Sequence, residues 1–247
     1  MTDSRSDVRR DHRPYWLKKA AAGFNRFYVR HFLAPQFDAL GEGAQFLNPR
    51  HIEIIGPNIR AGKHAHINAE RAHPVKICVW FSGERLGHID IGDHVLISPG
   101  TRIISSIGIS IGSNTMIASG CYLSDSDWHS LYDRTAEQGA AAPIVLEENV
   151  WLGVNVIVGK GVRIGRNSVI GAGSVVTRDI PANVVAGGCP ATVRKALDPQ
   201  QPIKLRSDLF ADAQGLSRMV DTLDRAFLTR NSFLGWLRSQ WFPRRGD

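Results

Sequence analysis

From Leu146 to Val176 an aliphatic residue recurs at every sixth position: Leu146, Leu152, Val158, Ile164, Ile170 and Val176. Glycines directly follow four of them, at Gly153, Gly159, Gly165 and Gly171. Helical faces repeat near 3.6 residues and strand faces near 2, so a period of six fits neither. It fits a parallel β-helix, in which each six residues make one short strand and one corner, three such units close a triangular coil, and the first residue of each six points to the axis. Four positions on stand Val150, Val156, Val162, Ser168 and Ser174, small or β-branched as a tight corner requires. The Gly and Asn residues between them suit the corner backbone.

The same period begins earlier, at Ile55, Ala61 and Ile67, with Ile59 and Ala65 at the corners. It breaks over His73 to His88, where Val75, Ile77, Val79 and Phe81 alternate before Ser82-Gly83-Glu84 and read as a strand-like insertion ending in a turn. Ile91, Ile97 and Ile103 resume it, two extra residues intervene near Ser105 to Gly108, and Ile111, Ile117 and Leu123 restore it. Ser124 to Pro143 then interrupts it a last time. The final coils run to about Pro190. This divides the chain into a disordered start with an amphipathic capping helix (1–48), a β-helix (49–197) with an active-site loop (124–143), and a C-terminal helix with a basic aromatic tail (198–247).

In the first of these segments Leu17, Ala20, Ala21, Phe24, Phe27, Tyr28 and Phe32 share a helical face, which caps the open end of a solenoid or lies on a membrane surface. In the last, Leu205, Leu209, Ala213, Leu216, Val220, Leu223 and Phe227 mark one apolar stripe of a second helix. The tail mixes Arg225, Arg230, Arg238, Arg244 and Arg245 with Phe227, Phe233, Trp236, Trp241 and Phe242 and holds no acidic residue up to Arg245. Docking on the protein and an interfacial membrane contact both suit that mixture. No nucleic-acid motif accompanies it. A chain of 247 residues with 43% hydrophobic content can bury a sizeable core, and a formal charge of +7 suits anionic partners without choosing among them. Three scattered cysteines, Cys78, Cys121 and Cys189, lack metal-ligand spacing and suit a reducing compartment. No apolar run reaches transmembrane length, and the reading is cytoplasmic, at most peripheral at the inner face of the membrane.

A loop thrown out of a rigid scaffold is where chemistry tends to sit. In the 124–143 loop His129 stands among Asp125, Asp127, Trp128, Tyr132, Asp133 and Arg134. A histidine can take a proton from an attacking hydroxyl or amine, and Asp125 or Asp127 could fix its tautomer.

The run from Pro143 to Val193, PIVLEENVWLGVNVIVGKGVRIGRNSVIGAGSVVTRDIPANVVAGGCPATV, lies in a resemblance spanning about Ile111 to Arg194. It resembles the C-terminal half of the hexapeptide-repeat acyltransferases of the galactoside and maltose acetyltransferase type. The resemblance implies a left-handed coil, a homotrimer with active sites between subunits, acetyl-CoA as donor, no metal, and a loop histidine as general base, here His129. It places Trp151 at the acceptor and pantetheine region with Gly153 beside it on the cofactor side, and Val154 where a main-chain N–H meets the developing oxyanion. Ala172 and Gly173 match a turn contacting the pantetheine arm, and Thr177 and Arg178 match a Thr-Lys pair near the cofactor. Arg194 and Lys195 are the phosphate partners, Thr192 standing at one of two positions where the family has a basic residue. The implied acceptor is a hydroxyl or amine of a sugar, such as a cell-surface polysaccharide or lipopolysaccharide precursor, free or lipid-linked. The alternatives are a non-catalytic trimeric scaffold and a trimeric zinc enzyme using His64, His66, His73, His88 and His94, whose spacing does not resemble that family's.

Overall fold

The computed structural model describes residues 11–82, 85–135 and 139–244, leaving outside the side chains of Ser82, Arg85, Ala213, Gln214 and Leu216. Most of the expected disordered start, the Gly83-Glu84 turn, Arg245, and the Ala213 and Leu216 side chains of the expected stripe therefore lie outside the described residues. The chain forms two compact units, Tyr28–Asp208 and Met1–Phe27 with Leu209–Asp247.

Tyr28–Asp208 is a left-handed parallel β-helix. Among the described residues its three faces are sheets of six, eight and six strands. Sheet 1 begins with Ala39–Leu40 and ends with Arg163–Ile164, and sheet 2 begins with Gln45–Leu47 and ends with Ala191–Ala196. Sheet 3 comprises Ile52–Ile55, Val75–Val79, Arg102–Ser105, Tyr122–Ser124, Ile157–Val158 and Val175–Val176. Neighbouring strands come from successive coils and pair in parallel, except that Ala191–Ala196 folds back antiparallel on Val184–Gly188 and closes the stack.

The period of six sets the register. Ile97, Ile117, Leu152 and Ile170 align along sheet 2, and Ile77, Ile103, Leu123, Val158 and Val176 along sheet 3. All nine are 0% exposed. Each such aliphatic contributes roughly 1.5–3 kcal/mol of transfer free energy, an upper figure because the unfolded chain already buries some of it. The corner residues Val150, Val156, Val162, Ser168 and Ser174 are buried as well, and the two serines satisfy their hydroxyls on the carbonyls of Pro181 and Gly171. At the first end of the stack Leu33 and Phe37 join the core, with Phe37 against Phe46 at 6.0 Å between ring centroids.

The edge between sheets 1 and 2 turns through His64, His94, Asn114, Asn149, Asn167 and Asn183, all left-handed with φ between +52° and +64°. Asn tolerates that backbone because its short amide bonds locally. Here the amides bond to one another along the axis, Asn149 Nδ2 to Asn167 Oδ1 at 3.0 Å and Asn167 Nδ2 to Asn183 Oδ1 at 2.7 Å. In the early coils the His64 and His94 rings stack instead, 5.2 Å apart. The segment after the last coil crosses this edge: Arg206 Nε donates to the His94 carbonyl at 2.8 Å and the Ser207 N–H to Asn114 Oδ1 at 2.8 Å.

Three local expectations change. Ile54, not Ile55, points inward, because Ile54 pairs with Ile77 and an extra residue follows before Ile59; Ile55 is exposed. Val75, Ile77 and Val79 belong to sheet 3, and the insertion is only the hairpin Phe81–Ser82 with Arg85–Leu86. The C-terminal stripe is broken: Arg206–Phe210 is a short 3-10 turn, Asp212 caps the next helix by accepting from the Gly215 N–H, and the helix proper is Ala213–Leu228.

Asn167→Ala should cost about 1–3 kcal/mol, combining left-handed strain with two lost amide bonds, and Asn167→Gly less; urea midpoints decide. Burial, then the Arg206 charge, holds the His66 pKa below 6.5; burial, then His64 and Arg206 against the opposing pull of Asp93, does the same for His94. The folded state therefore resists protons that the unfolded chain accepts, so this contribution is complete above pH 6.5 and is lost as pH falls below it. The melting temperature should drop on acidification more steeply in the wild type than in His66→Gln/His94→Asn.

Candidate active site

The interrupting loop leaves sheet 3 after Ser124 and rejoins the coil at Ile144 in sheet 1. Its base is a short antiparallel contact: the Asp127 N–H donates to the Ala140 carbonyl at 3.0 Å and the Ala142 N–H to the Asp125 carbonyl at 2.9 Å. Between them the His129 N–H donates to the Asp127 carbonyl at 2.8 Å, closing a three-residue turn about Trp128 at φ +63°. Such a turn is strained for an aromatic residue and persists only where surroundings hold it. Here the Trp128 indole N–H donates to Ser124 Oγ at 3.0 Å and its backbone N–H to Ser126 Oγ at 3.1 Å. The result presents His129 outward, exposed, and its imidazole has no hydrogen-bond partner among the described residues.

Neither carboxylate beside it is bonded to that imidazole, which corrects the expectation for Asp125 outright. Asp125 is fully buried and accepts from Ser105 Oγ, Ser106 N and Oγ, Ile107 N and Gly108 N, at 2.7–3.3 Å. Those donors, on the four residues Ser105 to Gly108, span the two-residue insertion in the coil below, so Asp125 is the anion that it wraps. Asp127 instead pairs with Lys160, Oδ1 to Nζ 2.7 Å. Sequence reasoning passed over Lys160, whose signal is a cation between Gly159 and Gly161 at a solenoid corner. Tyr122, Ser124, Ser126, Asp127, Ile157, Lys160 and Thr177 line a shallow cavity of about 340 Å³ beside the loop.

The other expected residues lie elsewhere. Gly153, Val154, Ala172 and Gly173 stack at the edge between sheets 2 and 3, where the Gly173 N–H donates to the Val154 carbonyl at 2.8 Å. Gly153 must lack a side chain, since a Cβ there would sit 2.7 Å from the Ala172 nitrogen, whereas a Cβ on Gly173 (φ +68°) would meet nothing within 4 Å. That leaves an open shelf. The Val154 N–H makes no hydrogen bond among the described residues and is available as a donor, like the corner N–H groups of Ser119 and Ala172. Arg194 reaches the Gly187 carbonyl at 3.1 Å near the same edge, and Lys195 stands exposed opposite Val185 on sheet 2. Thr177 and Arg178, however, occupy the edge of the His129 loop. Val154 and Lys160, six positions apart, stand at the two opposite edges of sheet 3, up to on the order of 20 Å from one another, so the His129 loop and the Val154 corner of one chain lie on different edges of the coil.

The outer faces of the coils are unequal. Sheet 2 shows Leu96, Met116, Trp151 and Val169 in register, and sheet 3 shows Glu53, Lys76 and Arg102 in its early coils and Tyr122, Ile157 and Val175 in its later ones, with Trp151 47% and Ile157 42% exposed. Sheet 1 shows mainly Arg60, Asp90, Ser110 and Arg163. Cys121 donates from Sγ to the Gly153 carbonyl, and burial pushes its thiol pKa up to about 11, so it stays protonated and is no nucleophile at neutral pH.

Residues 143–178 match the bacterial transferase hexapeptide family (six repeats), and residues 88–125 match the hexapeptide repeat of succinyl-transferase. The galactoside O-acetyltransferase of Lactococcus lactis is 38% identical over 170 residues, 67% of this chain and 66% of that protein. The chain belongs to the hexapeptide-repeat acyltransferase family. The galactoside O-acetyltransferase of Escherichia coli is 39% identical over 113 residues, 45% of this chain and 55% of that relative, so the chain spans between half and two thirds of the length of these two family members. A solved hexapeptide-repeat-containing acetyltransferase of Vibrio cholerae is 30% identical and covers 74% of this chain and 93% of its own, with a TM-score of 0.45.

Asp125→Ala should therefore act through folding: about 3 kcal/mol or more of stability is lost, because three buried N–H groups and two hydroxyls lose their acceptor. Asp127→Ala, at an exposed pair, should cost less than about 1 kcal/mol. Chemical denaturation of both variants compares them.

Proposed function

We propose that this protein transfers an acetyl group from acetyl-CoA to a sugar hydroxyl, with His129 as general base, in active sites shared between the subunits of a homotrimer. The observation that carries this reading is the separation of two half-sites on opposite edges of sheet 3, one bearing the outward His129 and the other the open shelf at Val154, Ala172 and Gly173. Three-fold association over the apolar residues of sheet 2 and of the later coils of sheet 3 would bring the loop of one subunit to the shelf of the next. The shelf suits a thin pantetheine arm, and Arg194 and Lys195 suit the phosphates at its far end. Trp151 would flank the arm from sheet 2.

Acetyl-CoA, when bound, supplies a thioester carbonyl as electrophile. His129 removes the acceptor's hydroxyl proton as the oxygen attacks, the Val154 N–H of the neighbouring subunit stabilises the oxyanion, and His129 returns the proton to the departing thiolate. The cavity of Tyr122, Ser124, Ser126, Asp127 and Lys160 offers a ring face with hydroxyl, anionic and cationic partners, a mixture that suits a saccharide of the polysaccharide-precursor type. Among the described residues no helix is long and apolar enough to cross a membrane, and a cytoplasmic enzyme is the proposed setting.

Titration calorimetry with CoA on the wild type and His129→Ala, followed by thiol release with saccharide acceptors, tests this. Binding should survive in the variant while turnover falls by about 10²–10⁴. Absence of CoA binding in both would instead leave a non-catalytic scaffold.

A further inference from the structure

The helical unit leaves much of its apolar surface outward. Helix α1 (Tyr15–Tyr28) has no buried residue; its Trp16 meets Phe233 at 5.9 Å between ring centroids, and its contacts with α2 (Ala213–Leu228) include ion pairs. Lys18 Nζ lies 2.6 Å from Asp224 Oδ1, Lys19 pairs with Asp221, and the Tyr15 hydroxyl donates to Asp221 at 2.8 Å. Leu228 is buried, and most of the other large apolar side chains of the unit face solvent. On α2 these are Met219, Val220, Leu223 and Phe227, the last 77% exposed. On α3 (Phe233–Trp241) Leu234 and Trp241, seven residues apart on one face, are 76% and 75% exposed, and Phe242 just beyond is 71% exposed. Ser239, on the opposite face of α3, is buried. A helix whose outward face is its apolar one is covered by something in use.

Charge indicates what. Residues 11–27 and 209–244 hold nine Lys and Arg against four Asp, and those Asp include the two engaged with α1. From Arg225 to Arg244 there are four arginines, Arg225, Arg230, Arg238 and Arg244, and no acidic residue. A two-fold contact of α3 with its own copy would set the arginines of one copy, Arg230, Arg238 and Arg244, against those of the other. An anionic bilayer surface accepts both the arginines and the aromatic side chains, and α3 is far too short to span one.

We propose that the outward face of α3, with its flanks at Phe227 and Phe242, docks on an anionic lipid surface as an interfacial contact. Leu234, Trp241 and Phe242 enter the headgroup boundary while Arg230, Arg238 and Arg244 meet lipid phosphates. The proposal is independent of acyl transfer, and its readout is partitioning, not turnover.

The test is co-sedimentation of the full chain with vesicles of phosphatidylcholine alone or with about a third phosphatidylglycerol. Wild type should bind the anionic vesicles and be released by salt. Each arginine near such a surface contributes roughly fivefold, so Arg230→Gln/Arg238→Gln/Arg244→Gln should lose on the order of a hundredfold in partitioning. Leu234→Ser/Trp241→Ser should lose at least about tenfold while keeping the wild-type particle mass. Failure of the wild type to bind anionic vesicles overturns the proposal, as does unchanged binding by the serine variant. A fall in particle mass in the serine variant would overturn it too, by assigning the face to a second copy of the chain.

Discussion

Every coil of this protein must superpose on the one beneath it, because the backbone hydrogen bonds of each strand are made to the neighbouring coils and not within its own. That constraint explains the aliphatic repeat. A side chain on the axis sits directly above its counterpart, as Leu123 sits in register with Val158 and Val158 with Val176, so size and branching at one level are set by the next. It also explains the polar corners, where the asparagine ladder satisfies in the axial direction amides that a solvent-exposed turn would leave to water.

A stack so constrained tolerates extra residues only at its edges, and each interruption is held by a specific device. The two-residue insertion at Ser105–Gly108 wraps the Asp125 carboxylate, and Asp125 opens the next insertion, the His129 loop. The buried anion thus couples one irregularity to another and fixes the level at which the loop leaves the solenoid. The strained turn at Trp128 then sets the direction of His129, with serines at 124 and 126 holding the indole and backbone. Rigidity below and outward presentation above suit the role proposed for His129, a base that works against a neighbouring surface.

The unequal outer faces of the coils and the apolar outward face of the helical unit point the same way. In both, apolar area that a lone chain leaves exposed lies where the proposed contacts would be made, between subunits in one case and at a lipid surface in the other. The basic excess of the whole chain is concentrated in its helical segments, close in sequence to their exposed aromatics.

Read from residues alone, the period of six established the β-helix, its axial residues from Ile91 onward and the loop that carries His129, because a repeat samples the same environment many times and one mismatch does not hide it. The resemblance named the chemistry and its positions. What residue order did not disclose was pairing: Asp125 and Asp127 look alike beside His129, yet one is fully buried under the preceding coil and the other reaches Lys160, more than thirty positions away. Ile54 and Ile55 are likewise interchangeable on paper, and only the register with Ile77 turns one inward. The division of the expected site between two edges was also invisible, since consecutive six-residue units of a coil lie on different faces of a triangle. The linear repeat determined which residues face the axis; the closing of each coil upon the last decided which residues meet, because those contacts join positions about twenty residues or more apart that no local pattern compares.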